Sequence, residues 1–191
     1  MTISDFDFQP ILTGKAIAVR PLAKGDFEAL FAAASDPAIW AGHPAKDRYR
    51  REVFAAYFAF LLDSGKALIV LERGSRSVIG CSSYYVAPDT PDSVSIGFTF
   101  LRRSHWGGQT NFEPKRLMLD HAFRSVRDVW FHIDPTNVRS QKATAKLGAV
   151  HAYDTILDLS GTPVEWMCFR LGKADWDRTC EVAAVVSGRG R

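Results

Sequence analysis

The sequence predicts one mixed α/β (α+β) domain built on a central sheet, and three observations carry that prediction. Segments that alternate with period two are interleaved with segments of three- and four-residue apolar spacing, in the order strand, two helices, three strands, helix, strand, helix, two strands. The 191 residues are 47% apolar, enough for one domain with a sizeable core. At the centre of the chain, Ser93 to Asn111 reads as a strand, a glycine turn and a helix start in direct succession.

The elements follow from local chemistry. Residues 1–14 form a lead-in that ends at Gly14, and KAIAVRPL from Lys15 to Leu22 alternates as a first strand that Pro21 closes. A helix begins at Asp26 and is terminated by Pro37. A second covers about Arg50 to Leu62, where Val53, Phe54, Tyr57, Phe58, Leu61 and Leu62 recur at helical steps before Gly65. Ala67 to Glu72 and Ser77 to Val86 make a hairpin around Arg73-Gly74-Ser75-Arg76, and the loop APDTPDS leads into the strand Val94 to Leu101. A helix from about Phe112 to Arg127 is expected next, with Asn111 as its N-cap and Pro114 in its first turn. A strand from Val129 to Asp134, a helix from Asn137 to Lys146 capped by Gly148, and strands at 150–159 and 164–171 complete the domain. Beyond Lys173 the reading is a short helical turn at Trp176 and a tail that frays from about residue 178. The chain shows no internal repeat or linker, so 1–191 is read as one domain with a core at about 15–175.

Composition excludes several classes. The net charge is only +3 and the basic residues are scattered, so no nucleic-acid groove is indicated. Cys81, Cys168 and Cys180 are odd in number and form no CxxC, which argues against a disulfide framework or a zinc knuckle and for reduced thiols in a cytoplasm. The N-terminus lacks an apolar targeting core, and no stretch is long and apolar enough to span a membrane. No metal is expected.

The glycine turn has a chemical use. The first N–H groups of a helix lack intrahelical partners and carry partial positive charge, so Gly107 and Gly108 would let backbone amides approach a phosphate. The same two glycines serve equally well as a plain turn.

Three segments, IAVRPLAKGDFEALFAAASDP, SIGFTFLRRSHWGG and DPTNVRSQKATAKLGAV, together with the element order, resemble the GNAT superfamily of acetyl-CoA-dependent N-acetyltransferases. The likeness is nearest to the RimJ/RimL-like branch related to ribosomal-protein N-terminal acetyltransferases. It implies a mixed sheet of about six to seven strands, splayed between the fourth and fifth, with about four flanking helices. It implies acetyl-CoA as co-substrate, a small-molecule or protein N-terminal amine as acceptor, no nucleic acid, no membrane, and relatives that often form homodimers.

The resemblance also distributes roles. The loop that holds the coenzyme pyrophosphate reads [Q/R]-x-x-G-x-[G/A] in relatives and corresponds to Trp106, Gly107, Gly108, Gln109, Thr110 and Asn111, with Gln109 and Asn111 standing where smaller residues are usual. The pantetheine would bond to backbone at Phe100, Leu101 and Arg102. Asn137 matches the pantetheine-contacting Asn, and Ser140 stands near the thiol sulfur. Thr144 occupies the place of a Tyr acid, and Ser95 that of a Glu in an EIG triplet. Ser140 is therefore expected to assist the leaving thiolate, and His132, on one strand face with Asp134, to act as base. Trp40, His43, Tyr57 and Ser95 are expected around the acceptor. The same substitutions suit two rivals, a non-catalytic acyl-CoA-binding or regulatory domain and an oligomer-forming scaffold without the site; stabilisation by acetyl-CoA and thiol release across amines separate them.

Overall fold

The computed structural model describes residues 3–188, with backbone alone for a few of these. Its strands are β1 (Leu12–Thr13), β2 (Ile17–Pro21), β3 (Ala67–Glu72), β4 (Val78–Tyr85), β5 (Val94–Leu101), β6 (Asp128–Ile133), β7 (Val150–Asp158) and β8 (Pro163–Gly172). Its helices are α1 (Phe27–Ala34), α2 (Pro37–Trp40), α3 (Arg51–Asp63), α4 (Gly108–Ala122), α5 (Val138–Ala145) and α6 (Lys173–Gly188). The strands form one sheet in the order β1-β2-β3-β4-β5-β6-β8-β7. Every neighbouring pair is antiparallel except β5 and β6.

The parallel pair is short, and that shapes the molecule. It is registered only at Val94↔Val129 and Ser95↔Trp130, so from Ile96 onward the β6-facing edge of β5 has no strand partner. This is the splay expected between the fourth and fifth strands, which become β5 and β6 because a two-residue strand, β1, is added at the sheet edge. A register shift between Cys81 and Ser83 sets a bulge into β5, and Phe98 at its centre has φ +52°. An extra residue in one strand bends it and sharpens its twist, which carries the end of β5 away from β6. The Phe98 carbonyl that the bulge turns out of the ladder accepts from the Tyr57 hydroxyl at 3.1 Å.

Two cores clamp the sheet. One face packs α4, the adjoining Phe123, and α6 through Met118, Leu119, Ala122 and Trp176 against Val70, Tyr84, Ile96 and Phe131. The other packs α1–α3 through Leu30, Trp40, Phe54 and Leu61 against Ile69, Cys81 and Phe100. Strand β4 is buried on both faces over nearly its whole length, as a strand at the centre of a layered sheet must be.

Several boundaries differ from the sequence reading for local reasons. Pro37 does not simply end the first helix: it opens α2 at a position where its missing N–H costs nothing, and the Asp36 carboxylate caps Ala38 N at 2.9 Å. Helix α4 starts at Gly108, four residues before Phe112, and ends at Ala122 rather than Arg127. Its N-cap is Gly107, not Asn111, and Pro114 is an interior residue that leaves the Thr110 carbonyl without its i+4 donor. The turn at Trp176 is part of a helix that continues to Gly188; residues 189–191 of the expected tail lie outside the described residues. No helix of the described chain is long and apolar enough to cross a membrane.

Candidate functional site

The fork between β5 and β6 gathers most of the chemistry. At its wide end, β5 leads through Arg102 and a 3-10 turn (Arg103–His105) to Trp106, Gly107 and α4. The Arg102 amide donates to Ile79 O at 2.6 Å and the Trp106 indole N–H to Leu101 O at 2.8 Å, which fixes both ends of the loop. Gly107 has φ +75° and ψ 174°, a region open in practice to glycine alone, and it turns the chain so that the unpaired amides of α4 face outward. Gly108, Gln109, Thr110 and Asn111, expected in a loop, form the first turn of α4; for Gly108 and Gln109 the backbone alone is described. The N-terminal amides and the dipole of α4 suit an anion.

Cations surround this end. The Arg139 guanidinium lies 4.3 Å from the centre of the Trp106 ring and donates to Ile39 O at 2.8 Å, tying α5 to the loop and to α2. Burial, with Lys146 nearby, depresses the Lys115 pKa, so a bound anion would favour its charged form. His105, beside the loop, faces Glu72 at 3.6 Å.

Phe100 and Leu101 point their side chains into opposite cores, leaving only backbone to a ligand in the fork. On the other side, the Asn137 carboxamide oxygen caps α5 by accepting from Ser140 N at 3.2 Å, while Ser140 itself is half-buried. Asn137 and Ser140 thus sit together just past the end of β6, and Thr144 is buried one turn further along α5.

At the narrow end, a polar row crosses the sheet. His132 on β6 is registered opposite Cys168 on β8, which is registered opposite Tyr153 on β7. The Asp89 carboxylate reaches over from the β4–β5 loop. The His132 Nε2 lies 3.2 Å from Asp89 Oδ1, Tyr153 donates its hydroxyl to Oδ2 at 2.7 Å, and the Cys168 thiol points at Oδ2 from 3.7 Å. Burial, reinforced by Asp89, pushes the Cys168 thiol up to about 12 and raises the Tyr153 phenol, so both remain donors at neutral pH. Polar side-chain atoms, one each from Asp89, His132 and Cys168, lie within 4.8 Å of one another, a spacing that donors converging on one carboxylate explain. On its other nitrogen, His132 Nδ1 is 3.0 Å from the Tyr85 hydroxyl of β4. Burial lowers the His132 pKa against the opposing pull of Asp89, favouring a neutral imidazole. Asp134, expected to share its strand face, is spent on the Thr136 turn.

The expected acceptor residues are placed differently. Trp40 is 2% exposed and its indole donates to Ala34 O at 2.8 Å, because α2 turns it into the core. Tyr57 is likewise buried and spent on the Phe98 carbonyl. The Arg48 guanidinium stacks 3.8 Å from the Tyr57 ring. Ser95 is fully buried and its hydroxyl has no hydrogen-bond partner among the described residues. All three side chains are therefore buried. An open cavity of about 280 Å³ lies instead where Phe60, Tyr85, Phe98 and the Asp158-Leu159 tip of the β7–β8 hairpin meet. Its rings form a continuous wall, with centroids 5.3 Å apart for Phe60 and Phe98 and 5.4 Å for Phe98 and Tyr85. Tyr85, Asp89, Tyr153 and Arg139 carry no local sequence signal, since each acts through contacts to residues far away along the chain.

His43 lies beside Trp40 and accepts from Ala45 N through Nδ1 at 2.9 Å. Burial, then the charges of Arg48 and Arg139, push its pKa down to about 4. A histidine that stays neutral when folded but protonates near 6.5 when unfolded loses stability as pH falls through that interval. Unfolding followed from pH 7 to pH 4 is expected to show a loss on the order of 2 kcal/mol from this site, absent in His43→Gln. An unchanged slope in the variant would remove His43 as its source.

Residues 17–150 match the family model described as an acetyltransferase (GNAT) domain. No curated protein matches the chain in sequence. Among solved structures it is similar to a GCN5-related N-acetyltransferase from Brucella melitensis (17% identity, TM-score 0.72, covering 90% of this chain and 82% of that one). It is also similar to Mycobacterium smegmatis RimJ in complex with CoA-disulfide (16%, 0.64, 95% and 94%) and to apo FdhC, a nucleotide-linked sugar GNAT (14%, 0.64, 92% and 97%).

Proposed function

The chain belongs to the GNAT acetyltransferase family, and from that premise we propose that it transfers acetyl from acetyl-CoA directly to a primary amine, both substrates being bound together. One observation supports this most: β5 leaves β6 after Ser95 and ends on the Gly107 turn into α4, so unpaired backbone and a helix N-terminus lie on one path. The N-terminal amides of α4 would hold the pyrophosphate with Arg102 and Arg139 nearby, and the open edge of β5 would take the pantetheine as an added strand. The bound coenzyme supplies the activated acetyl group. Asn137 fixes the start of α5, and Ser140 would donate a hydrogen bond to the sulfur as the thiolate leaves, keeping its own proton. His132 is the group placed to accept a proton. The cavity beside Phe60, Tyr85 and Phe98 would admit the acceptor.

Acceptor identity belongs to side chains rather than to the fold, since both a RimJ and a nucleotide-linked sugar GNAT share it. We assign the enzyme to the RimJ/RimL-like branch and to the cytoplasm on its sequence motifs and free thiols. Acetyl-CoA at about a hundred times its Kd should stabilise the fold by about 2.7 kcal/mol, a Tm rise of roughly 5–10 °C. No rise, with no thiol released across an amine panel, would overturn the reading. Ser140→Ala is expected to lower kcat about 10-fold or more while leaving coenzyme affinity unchanged, and an unaltered kcat would refute its role.

A further inference from the structure

We infer that Tyr85 is the group that meets the acceptor amine, and that Asp89 and His132 stand behind it as a proton relay; this deepens the acetyltransferase reading and rests on it. The geometry is directional. An ionised carboxylate only accepts hydrogen bonds, so the His132 nitrogen facing Asp89, Nε2, carries the ring proton. Nδ1 is then a lone pair, and its neighbour at 3.0 Å is the Tyr85 hydroxyl, which must donate to it. The phenol oxygen keeps its own lone pairs for an incoming donor, with the Ser95 hydroxyl as its other polar neighbour, and burial raises its pKa so that it stays protonated at rest.

Its position relative to the fork is fixed by Gly97, in the stretch of β5 that β6 leaves unpaired. A Cβ there would come within 2.9 Å of Tyr85 Cε1 and 3.4 Å of its hydroxyl oxygen, so the phenol lies against the bare Gly97 backbone. The same hydroxyl therefore lies against both the fork and the imidazole, on a side chain that also lines the cavity. The groups facing His132 are Tyr85 from β4, Asp89 from the loop, Cys168 from β8 and, through Asp89, Tyr153 from β7. Tyr153 and Cys168 give Asp89 two further donors, which holds its carboxylate in place to orient the ring.

In the reaction, the amine nitrogen attacks the thioester carbonyl, the N–C bond forms and the C–S bond breaks. The proton shed by nitrogen passes to the Tyr85 oxygen as Tyr85 releases its own to His132 Nδ1. The buried imidazolium releases its Nε2 proton to solvent by way of the partly exposed Asp89 carboxylate, which leaves a neutral ring, and the departing thiolate takes a proton up to leave as the thiol. A general-base step of this kind contributes about 10²–10⁴-fold.

Three variants test it, each measured for thiol release from acetyl-CoA against pH and for stabilisation by coenzyme A. Tyr85→Phe and His132→Gln are expected to lower kcat at least about 30-fold with coenzyme stabilisation retained, and His132→Gln to erase the acid-side fall of kcat/KM. Because His132 accepts the proton only when neutral and burial lowers its pKa, that fall should lie below pH 6.5 in the unaltered enzyme. Independently of turnover, nitrogen NMR of the His132 ring should show Nε2 protonated and Nδ1 bare at neutral pH, with the tautomer mixed in Asp89→Asn. An active enzyme whose kcat is untouched by Tyr85→Phe, or whose acid limb survives His132→Gln, overturns the relay alone. An enzyme inactive on every amine overturns the relay together with the acetyltransferase reading.

Discussion

Gly107→Val is expected to abolish stabilisation by coenzyme A, weakening its affinity by at least about 30-fold, while lowering the unliganded Tm by only a few degrees. The effect is conformational, since a Cβ at this position would meet nothing within 4 Å. What valine cannot adopt at modest cost is φ +75° with ψ 174°; such strain costs about 1–3 kcal/mol and relaxes by turning the peptide that aims the first α4 amides. Gly42, which also has nothing within 4 Å and no positive φ, is the control: Gly42→Val should leave the affinity unchanged. Equal binding by the Gly107 variant and the unaltered protein would place the pyrophosphate elsewhere.

Gly80→Ala is expected to damage the fold itself, by about 3 kcal/mol or more. A Cβ on Gly80 would fall 2.1 Å from the Phe100 carbonyl oxygen and 2.9 Å from Leu101 Cα, both backbone atoms held in the β4–β5 ladder. No rotamer relieves that contact, so the end of β5 must move, and with it Arg102, whose amide is bonded to Ile79 O next door. Any folded fraction should therefore bind coenzyme A poorly as well. Gly74→Ala, in the open β3–β4 turn, should be close to neutral. A Tm for Gly80→Ala within a few degrees of the original would mean that β5 is not held against β4 as described.

The succession of strands and helices is legible because period-two and helical runs are short-range signals, whereas the fork follows only from the family resemblance that the NVRS and WGG segments carry. The α4 start was misplaced because Asn111 looks like a cap, yet a glycine able to hold φ +75° lets the chain enter the helix one turn sooner. The segments holding Trp40 and Tyr57 suggest cleft residues, but which way a ring points depends on the packing of α2 and α3 against β4 and β5, which no local pattern encodes. The bulge at Phe98 left no mark in the sequence either, since a non-glycine residue at positive φ is imposed by its neighbours. His132 was visible as a strand histidine, but the groups that give it a direction, Asp89 and Tyr85, lie 43 and 47 residues away.

One further contact joins the start of the chain to the helix that leaves the fork. Glu113 on α4 accepts from the backbone amides of Lys15 and Ala16 at the β1–β2 turn. A ligand that stiffens the first turns of α4 would also suppress opening of this clamp. Deuterium uptake at Lys15 and Ala16 should therefore slow when coenzyme A is added, and Glu113→Gln should weaken that response. With that slowing, the β1–β2 turn would report occupancy without any acceptor and without a single turnover.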